Sequence, residues 1–308
     1  MRNADIGLFT KSSRIKRGKI IDTITTITDM QNRAEQIRTS GQTIAFVPTM
    51  GYLHEGHLSL MKRGRKLADR LVASIFVNPA QFGPNEDLST YPRDPERDAA
   101  LAEDAGVDIL FMPGEAELYP AGYETYIVQT NLPDHLCGLS RPGHFRGVAT
   151  IVAKLFNTTK PHFAVFGEKD YQQLAVIRKM TSDLNFDTEI IGAPTVREPD
   201  GLAMSSRNKF LSEKQRQSAL ALYRCLTEAR RAVAEGETDP RRIIEKSEAA
   251  IKSEADTVID YIKICHPDTL EDIDAIDRPV LMALAVKVGD TRLIDNLMLF
   301  PPGTGPRQ

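Results

Sequence analysis

Apolar positions change their pattern partway along the chain. In the first half, Ile44 to Val47, Leu71 to Val77, Val107 to Met112 and Phe163 to Phe166 are short apolar runs of the kind that buried parallel strands use. Thr188 to Val196 also reads as extended. Between these runs, helical spacing resumes from Leu58, from Pro95 to Ala105 and from Val148 to Asn157, and Asp29 is placed to cap an earlier helix that stops at Gly41. Alternating strands and helices imply a parallel sheet covered on both faces, with its ligand crevice beyond the carboxyl ends of the strands. Ala193-Pro194-Thr195 then suggests a hinge. Beyond it, Ser212 and Gln215 form a capping box for a long helix to Gly236, and Asp239-Pro240 starts a second. Val258 to Cys265 and Val280 to Val288 read as strands, followed by Arg292 to Asn296. The expected architecture is therefore a tail at 1–22, a Rossmann-like doubly wound α/β domain at 23–195, and a smaller α+β domain at 196–308.

The 308 residues, 41% of them hydrophobic, can supply cores for about two domains. No apolar run approaches the ~18 residues of a membrane span, and no secretory h-region stands near the start, so a cytoplasmic protein without a membrane partner is expected. A net charge of −3 argues against nucleic acid as the main partner. Cys137, Cys225 and Cys265 are widely spaced and form no C-x-x-C, which indicates neither a disulfide framework nor a zinc ribbon. In residues 1–20, Arg2, Lys11, Arg14, Lys16, Arg17 and Lys19 stand against Asp5 alone. The segment has the charge of a transit peptide but no amphipathic stripe, and is read as a mobile tail.

The polar residues just after each strand are the candidates for chemistry. After Val47, Pro48 and Gly51 end the strand, and His54 and His57 fall three apart in the first turn of the next helix, whose positive end suits a phosphate. Gly56, lacking a Cβ, is expected to let a base or phosphate approach the backbone. Two histidines at a helix start are equally compatible with solvated caps or zinc ligands, but a helical zinc pair is normally spaced i, i+4. His-Glu-Gly-His fits the H-x-G-H pattern of nucleotidyl transferases. Asn78 and Gln81 follow the next strand, and Lys169 and Gln173, one helical turn apart, follow the strand that ends at Phe166. Met204-Ser205-Ser206-Arg207-Asn208 offers hydroxyls and a guanidinium suited to phosphate oxygens.

Together these blocks resemble the pantothenate synthetase family, the ATP-dependent pantoate–β-alanine ligases. The resemblance rests on Pro48-Thr49-Met50-Gly51 with His54 to His57, Phe76-Val77-Asn78-Pro79 with Gln81-Phe82, Tyr91-Pro92-Arg93, Gly143 to Gly147, Gly167 to Gln173, Met204 to Asn208 and Arg292 to Asn296, in order over about residues 44 to 297. It implies formation of pantoyl adenylate and pyrophosphate, then displacement of AMP by the β-alanine amine. It implies ATP contacts at Met50, Gly51, Tyr52, Leu53, His54, Glu55, Gly56 and His57, at Gly167, Glu168, Lys169 and Asp170, and at Val196, Met204, Ser205, Ser206 and Arg207. Gln81 and Gln173, with Asn78 beside them, are expected to receive pantoate. His57 is the implied proton donor, with His54 and Lys169 as its catalytic neighbours, Asp98 matches a Mg²⁺-linked acid, and a homodimer through the N-terminal domain is implied. The chain departs from the family at Tyr52, commonly a small residue, and at Arg97, where some members carry a second acid. The expected chemistry is positioning plus cationic stabilisation by Lys169, His57, Mg²⁺ and backbone N–H groups. Rival readings are another nucleotidyl transferase, a class I aminoacyl-tRNA synthetase, or an ATP sensor on the same fold. The acidic balance and short C-terminal half weigh against the synthetase.

Overall fold

The computed structural model describes residues 21–84 and 86–305. The expectation of a tail falls on residues 1–20, outside the described residues. Six parallel strands form one sheet: β1 (Asp22–Ile24), β2 (Ile44–Thr49), β3 (Arg70–Ile75), β4 (Ile109–Phe111), β5 (Phe163–Gly167) and β6 (Glu189–Ala193), in the order β1-β4-β3-β2-β5-β6. Ile44, Ala45, Phe46 and Val47 are fully buried because helices cover both faces of β2. On one face α1 (Ile27–Thr39), α6 (His144–Thr159) and α7 (Tyr171–Asp183) pack Met30, Phe156 and Ile177 against Phe46 and Phe111. On the other, α2 (Glu55–Arg65) and α3 (Pro95–Asp104) pack Met61 and Ala102 against Val47, Leu71 and Leu110. The short helices α4 (Glu115–Leu118) and α5 (Cys137–Ser140) lie in the connection from β4 to α6.

The sequence order runs outward from β2 through β3 and β4 on one side, then returns to place β5 on the other. The strand order therefore reverses between β2 and β5, which pair through Ala45↔Phe163 and Phe46↔Ala164. A crevice opens where such a sheet reverses, outside the carboxyl ends of the two strands. Those ends carry the His54–His57 stretch and the Gly167–Asp170 stretch.

The second unit contains α8 (Glu213–Ala234), α9 (Pro240–Lys252) and an antiparallel sheet of β7 (Thr257–Cys265), β8 (Val280–Val288) and β9 (Thr291–Leu299). Its core joins Leu222, Leu226 and Ile251 to Met282 and Val286. The other sheet face contributes Cys265, Leu281 and Ala283 to the first unit's core, so the two units are joined by apolar packing.

Two local expectations change. The cap of α1 is Thr26, whose hydroxyl oxygen accepts the Asp29 N–H at 3.1 Å, because the cap must keep an extended backbone while Asp29 already lies in the first turn. β1 opens at Asp22, one residue inside the expected tail; three residues are too few to show periodicity.

Candidate active site

The start of α2 is built by its own histidines. His54 is the cap, and its Nδ1 accepts the Gly56 N–H at 3.1 Å; His57 Nδ1 accepts the His54 N–H at 3.3 Å, closing a capping box. A neutral imidazole has one acceptor and one donor, so each ring keeps its proton on Nε2. Burial holds the His57 pKa at about 3, with His54 and Lys169 adding to the shift, and burial followed by Lys169 holds His54 at about 4. Both rings are thus neutral Nε2–H donors at pH 7, which corrects the expectation of a cationic His57. A Cβ on Gly56 would meet His54 Cε1 at 2.8 Å and Nδ1 at 2.9 Å. The glycine makes room for the capping ring, and it also lines the smaller of the two cavities described below.

Beyond β3, a 3₁₀ turn at Pro79–Gln81 carries the first amide pair. Asn78 is 1% exposed; its amide donates to Gln81 Oε1 at 3.0 Å and to the Gly147 carbonyl at 3.1 Å, while its Oδ1 accepts from Tyr119 at 2.8 Å. Asn78 therefore orients Gln81, leaving the Gln81 NH₂, 3.2 Å from Met50 Sδ, as a donor at the cavity wall. Gly147 lets α6 approach this turn: a Cβ there would lie 2.1 Å from the Ala80 carbonyl oxygen. From the opposite side, His144 Nδ1–H donates to the Gln81 carbonyl at 2.8 Å, and its Nε2 accepts from Arg141 at 3.1 Å. Burial and the Arg141 charge hold His144 down to about 4. Arg141 is itself paired with Glu86, at 2.5 Å.

Lys169 lies in the 3₁₀ turn Glu168–Asp170, between β5 and α7. Asn296 on β9 fixes this turn by donating to the Glu168 and Lys169 carbonyls at 2.9 and 2.8 Å. No ion pair of the Lys169 ammonium occurs among the described residues. Facing it from the second unit, Ser205 caps the turn Ser206–Phe210 by accepting the Arg207 N–H, and Arg207 pairs with Asp87 at 2.9 Å. The Val196 carbonyl accepts the Met204 N–H at 3.0 Å. Arg197 and Asp295 secure this hairpin to β9 through two contacts, at 2.6 and 2.9 Å.

These elements enclose two adjoining cavities, of about 250 and about 930 Å³, which share walls at Arg141, His144, Lys169, Asp170, Gln173, Ser205 and Arg207. The smaller brings together Met50, His54, Gly56, His57, Asn78, Gln81, Gly167, Val196, Met204 and Ser206 with those shared residues. Gly51, Tyr52, Leu53, Glu55, Glu168 and Asp98 line neither. Leu53 is core, and Glu55 makes a surface pair with Lys62 at 3.7 Å. Asp98 is 1% exposed, and its two oxygens accept the Tyr52 and Leu53 N–H groups at 2.6 and 2.7 Å. A carboxylate held this way anchors a loop and does not fit a Mg²⁺ ligand; among the described residues no group of three His, Cys, Asp or Glu side chains is placed to hold a metal. Arg141, His144, Asp295 and Asn296 were not among the expected site residues. His144, Asp295 and Asn296 sit in blocks the resemblance quoted, but only the folded contacts assign them work.

The family model for Pantoate-beta-alanine ligase matches residues 22–298. A pantothenate synthetase from Desulfatibacillum aliphaticivorans is 61% identical over 272 residues, covering 88% of this chain and 97% of that one. Another, from Syntrophotalea carbinolica, is 59% identical over 276 residues, covering 90% and 98%. Among solved structures, pantothenate synthetase from Thermus thermophilus superposes with a TM-score of 0.86 at 45% identity, over 91% of this chain and 100% of that one. Pantoate-beta-alanine ligase from Francisella tularensis, complexed with Beta-gamma ATP and Beta-alanine, gives 0.74 at 35% identity, over 90% and 97%. With the sheet reversal, the paired histidines and the lysine turn in place, the match over nearly the whole described chain shows that the chain belongs to the pantoate–β-alanine ligase family.

Proposed function

We infer that this chain joins pantoate to β-alanine with ATP as co-substrate, by way of pantoyl adenylate. One observation carries the reading: a lysine without an ion-pair partner among the described residues shares a single cavity with two neutral imidazole donors and two glutamine amides. In the first step a pantoate carboxylate oxygen bonds to the α-phosphorus of ATP, and the bond to the bridging oxygen breaks, releasing pyrophosphate. Charge grows on the phosphoryl oxygens and the leaving group, where preorganised donors act most strongly. Lys169 supplies fixed positive charge, and the Nε2–H groups of His54 and His57 supply directed donors. Ser205, Ser206 and Arg207 offer further donors from the opposite wall. Gln81, oriented by Asn78, donates to the pantoate carboxylate or hydroxyls from one side, and Gln173, whose side chain makes no hydrogen bond to a described residue, can donate or accept from another. Mg²⁺, where it accompanies ATP, supplies charge neutralisation along the phosphates.

In the second step the β-alanine amine bonds to the acyl carbon, the acyl–oxygen bond to AMP breaks with its electron pair leaving on AMP, and the nitrogen sheds one proton to solvent. The larger cavity adjoins the same lysine turn and gives the amine a route to that carbon. No acyl enzyme is required. Cytoplasmic location and homodimer assembly are part of the reading on the family resemblance; among the described residues no helix is long and apolar enough to cross a membrane. Pantoate-dependent exchange of pyrophosphate into ATP, without β-alanine, tests the reaction. Exchange that needs pantoate, followed by pantothenate formation on adding β-alanine, is expected; ATP binding without exchange would leave a sensor.

A further inference from the structure

Tyr52 is held in a backbone conformation that tyrosine rarely adopts, with φ of 51°, yet its ring lines neither cavity. Such strain persists only where surrounding contacts enforce it. Here Asp98 grips the Tyr52 N–H at 2.6 Å, and Arg97 bonds the Leu53 carbonyl at 3.0 Å. The conformation delivers the ring to the second unit: Lys209 Nζ lies 4.0 Å from its centroid, with the Phe210 ring 5.1 Å from the same ammonium. Arg97 stands 5.4 Å from the Tyr52 ring.

Lys209 belongs to the turn Ser206–Phe210, whose start forms the far wall of the smaller cavity. That turn is fastened to the hairpin before it, since Asn208 donates to Glu198 at 2.7 Å and to the Ala203 carbonyl at 3.0 Å. Among the described residues, side-chain ties from the turn to the first unit include Arg207–Asp87, Lys209–Tyr52 and a hydrogen bond between Ser206 and the Tyr91 hydroxyl. The first and third use side chains that also line the smaller cavity: Asp87 takes Nε and Nη2 of Arg207 and leaves Nη1 to face a phosphate, and Ser206 stands beside it. The second uses no group that ATP needs. We propose that Tyr52 and Lys209 are positioning residues: their cation–π contact holds the Ser205–Arg207 wall against the His54–His57 wall, and so sets the affinity for ATP. The proposal rests on the nucleotide-binding reading of Ser205–Arg207.

Calorimetric titration of ATP without turnover tests it on the full chain and on Lys209→Met, Tyr52→Leu and the double variant, beside Tyr52→Phe and Lys209→Arg. Each single loss is expected to weaken ATP by about three- to tenfold, the range of one cation–π contact. The double variant should bind no worse than the weaker single variant, because both remove one interaction. Tyr52→Phe and Lys209→Arg keep ring and charge and should stay within about twofold of the original, and the pantoate KM should be equally unmoved. Unchanged ATP affinity in Lys209→Met, a surface substitution that leaves the strained loop intact, overturns the proposal alone, as do additive losses. Failure of the unsubstituted chain to bind ATP overturns both the proposal and the nucleotide-binding reading.

Discussion

Burial sets the charge of the site histidines, and with it the work each residue can do. His54 and His57 titrate near 4 and 3, where a free imidazole titrates at 6.5. The unfolded chain therefore binds protons between pH 6.5 and those values that the folded chain refuses, and stability falls as pH drops through that window. The melting temperature should decline from pH 6.5 towards 4, and His57→Gln should flatten that decline; an unchanged slope in the variant counts against a buried neutral ring. The profile of kcat/KM for ATP should show no histidine limb near pH 6.5. Lys169 supplies what the rings do not. Lys169→Met should lower adenylation by on the order of 10²–10³ in rate, the cost of a preorganised donor. Supplying synthetic pantoyl adenylate with β-alanine should recover much of the product; equal losses in both half-reactions would reassign Lys169 to general AMP binding.

Elements set how precisely those residues are aimed. The loop between β2 and α2 depends on Asp98, which takes two backbone N–H groups in a buried place. Asp98→Ala leaves both donors unsatisfied and should cost about 1–3 kcal/mol per donor in urea unfolding. At saturating ATP its dependence on Mg²⁺ concentration should match that of the original chain, whereas a lost metal ligand would shift it. The Asn78–Gln81 turn makes a complementary case. Gln81→Ala should raise the pantoate KM and leave ATP affinity intact, and Asn78→Ala should do the same more weakly, since it frees the amide it no longer orients. A matching fall in ATP affinity by calorimetry would argue against a pantoate role for either.

At the scale of the whole molecule, the wall carrying Ser205–Arg207 stands only while its hairpin is held to β9, and β9 in turn reaches the Lys169 turn of the first unit. Asp295 is 3% exposed and makes a bidentate pair with Arg197, which also stacks 4.0 Å from the Tyr223 ring. Removing one partner of a buried pair strands the other charge, so Asp295→Ala should destabilise by about 3–5 kcal/mol. The neighbouring Asn296 acts across the interface on the Lys169 turn. Asn296→Ala should lower kcat for adenylation with little change in the pantoate KM; an unaltered kcat would show that the turn keeps its shape without β9.

The sequence by itself determined the elements and the local chemistry. Apolar periodicity marks β2, β3 and β5 and the long helices, the capping box at Ser212 and Gln215 is local, and Met50, His54, His57, Gln81, Lys169, Gln173 and Ser205–Arg207 fall just beyond strand ends or in a polar turn. These signals are short-range, set by residues within a helical turn or a strand length of one another. Tertiary structure alone decided which strands are neighbours, and so that the ends of β2 and β5 meet at the reversal of the sheet. It gave Gly56 the task of making room for the His54 ring, turned Asp98 from a metal candidate into a loop anchor, and His57 from a cation into a neutral donor. Burial and pairing between distant segments cause each of these changes. Neither leaves a trace in local spacing, because a pKa or a hydrogen-bond partner is fixed by what the fold packs alongside a residue.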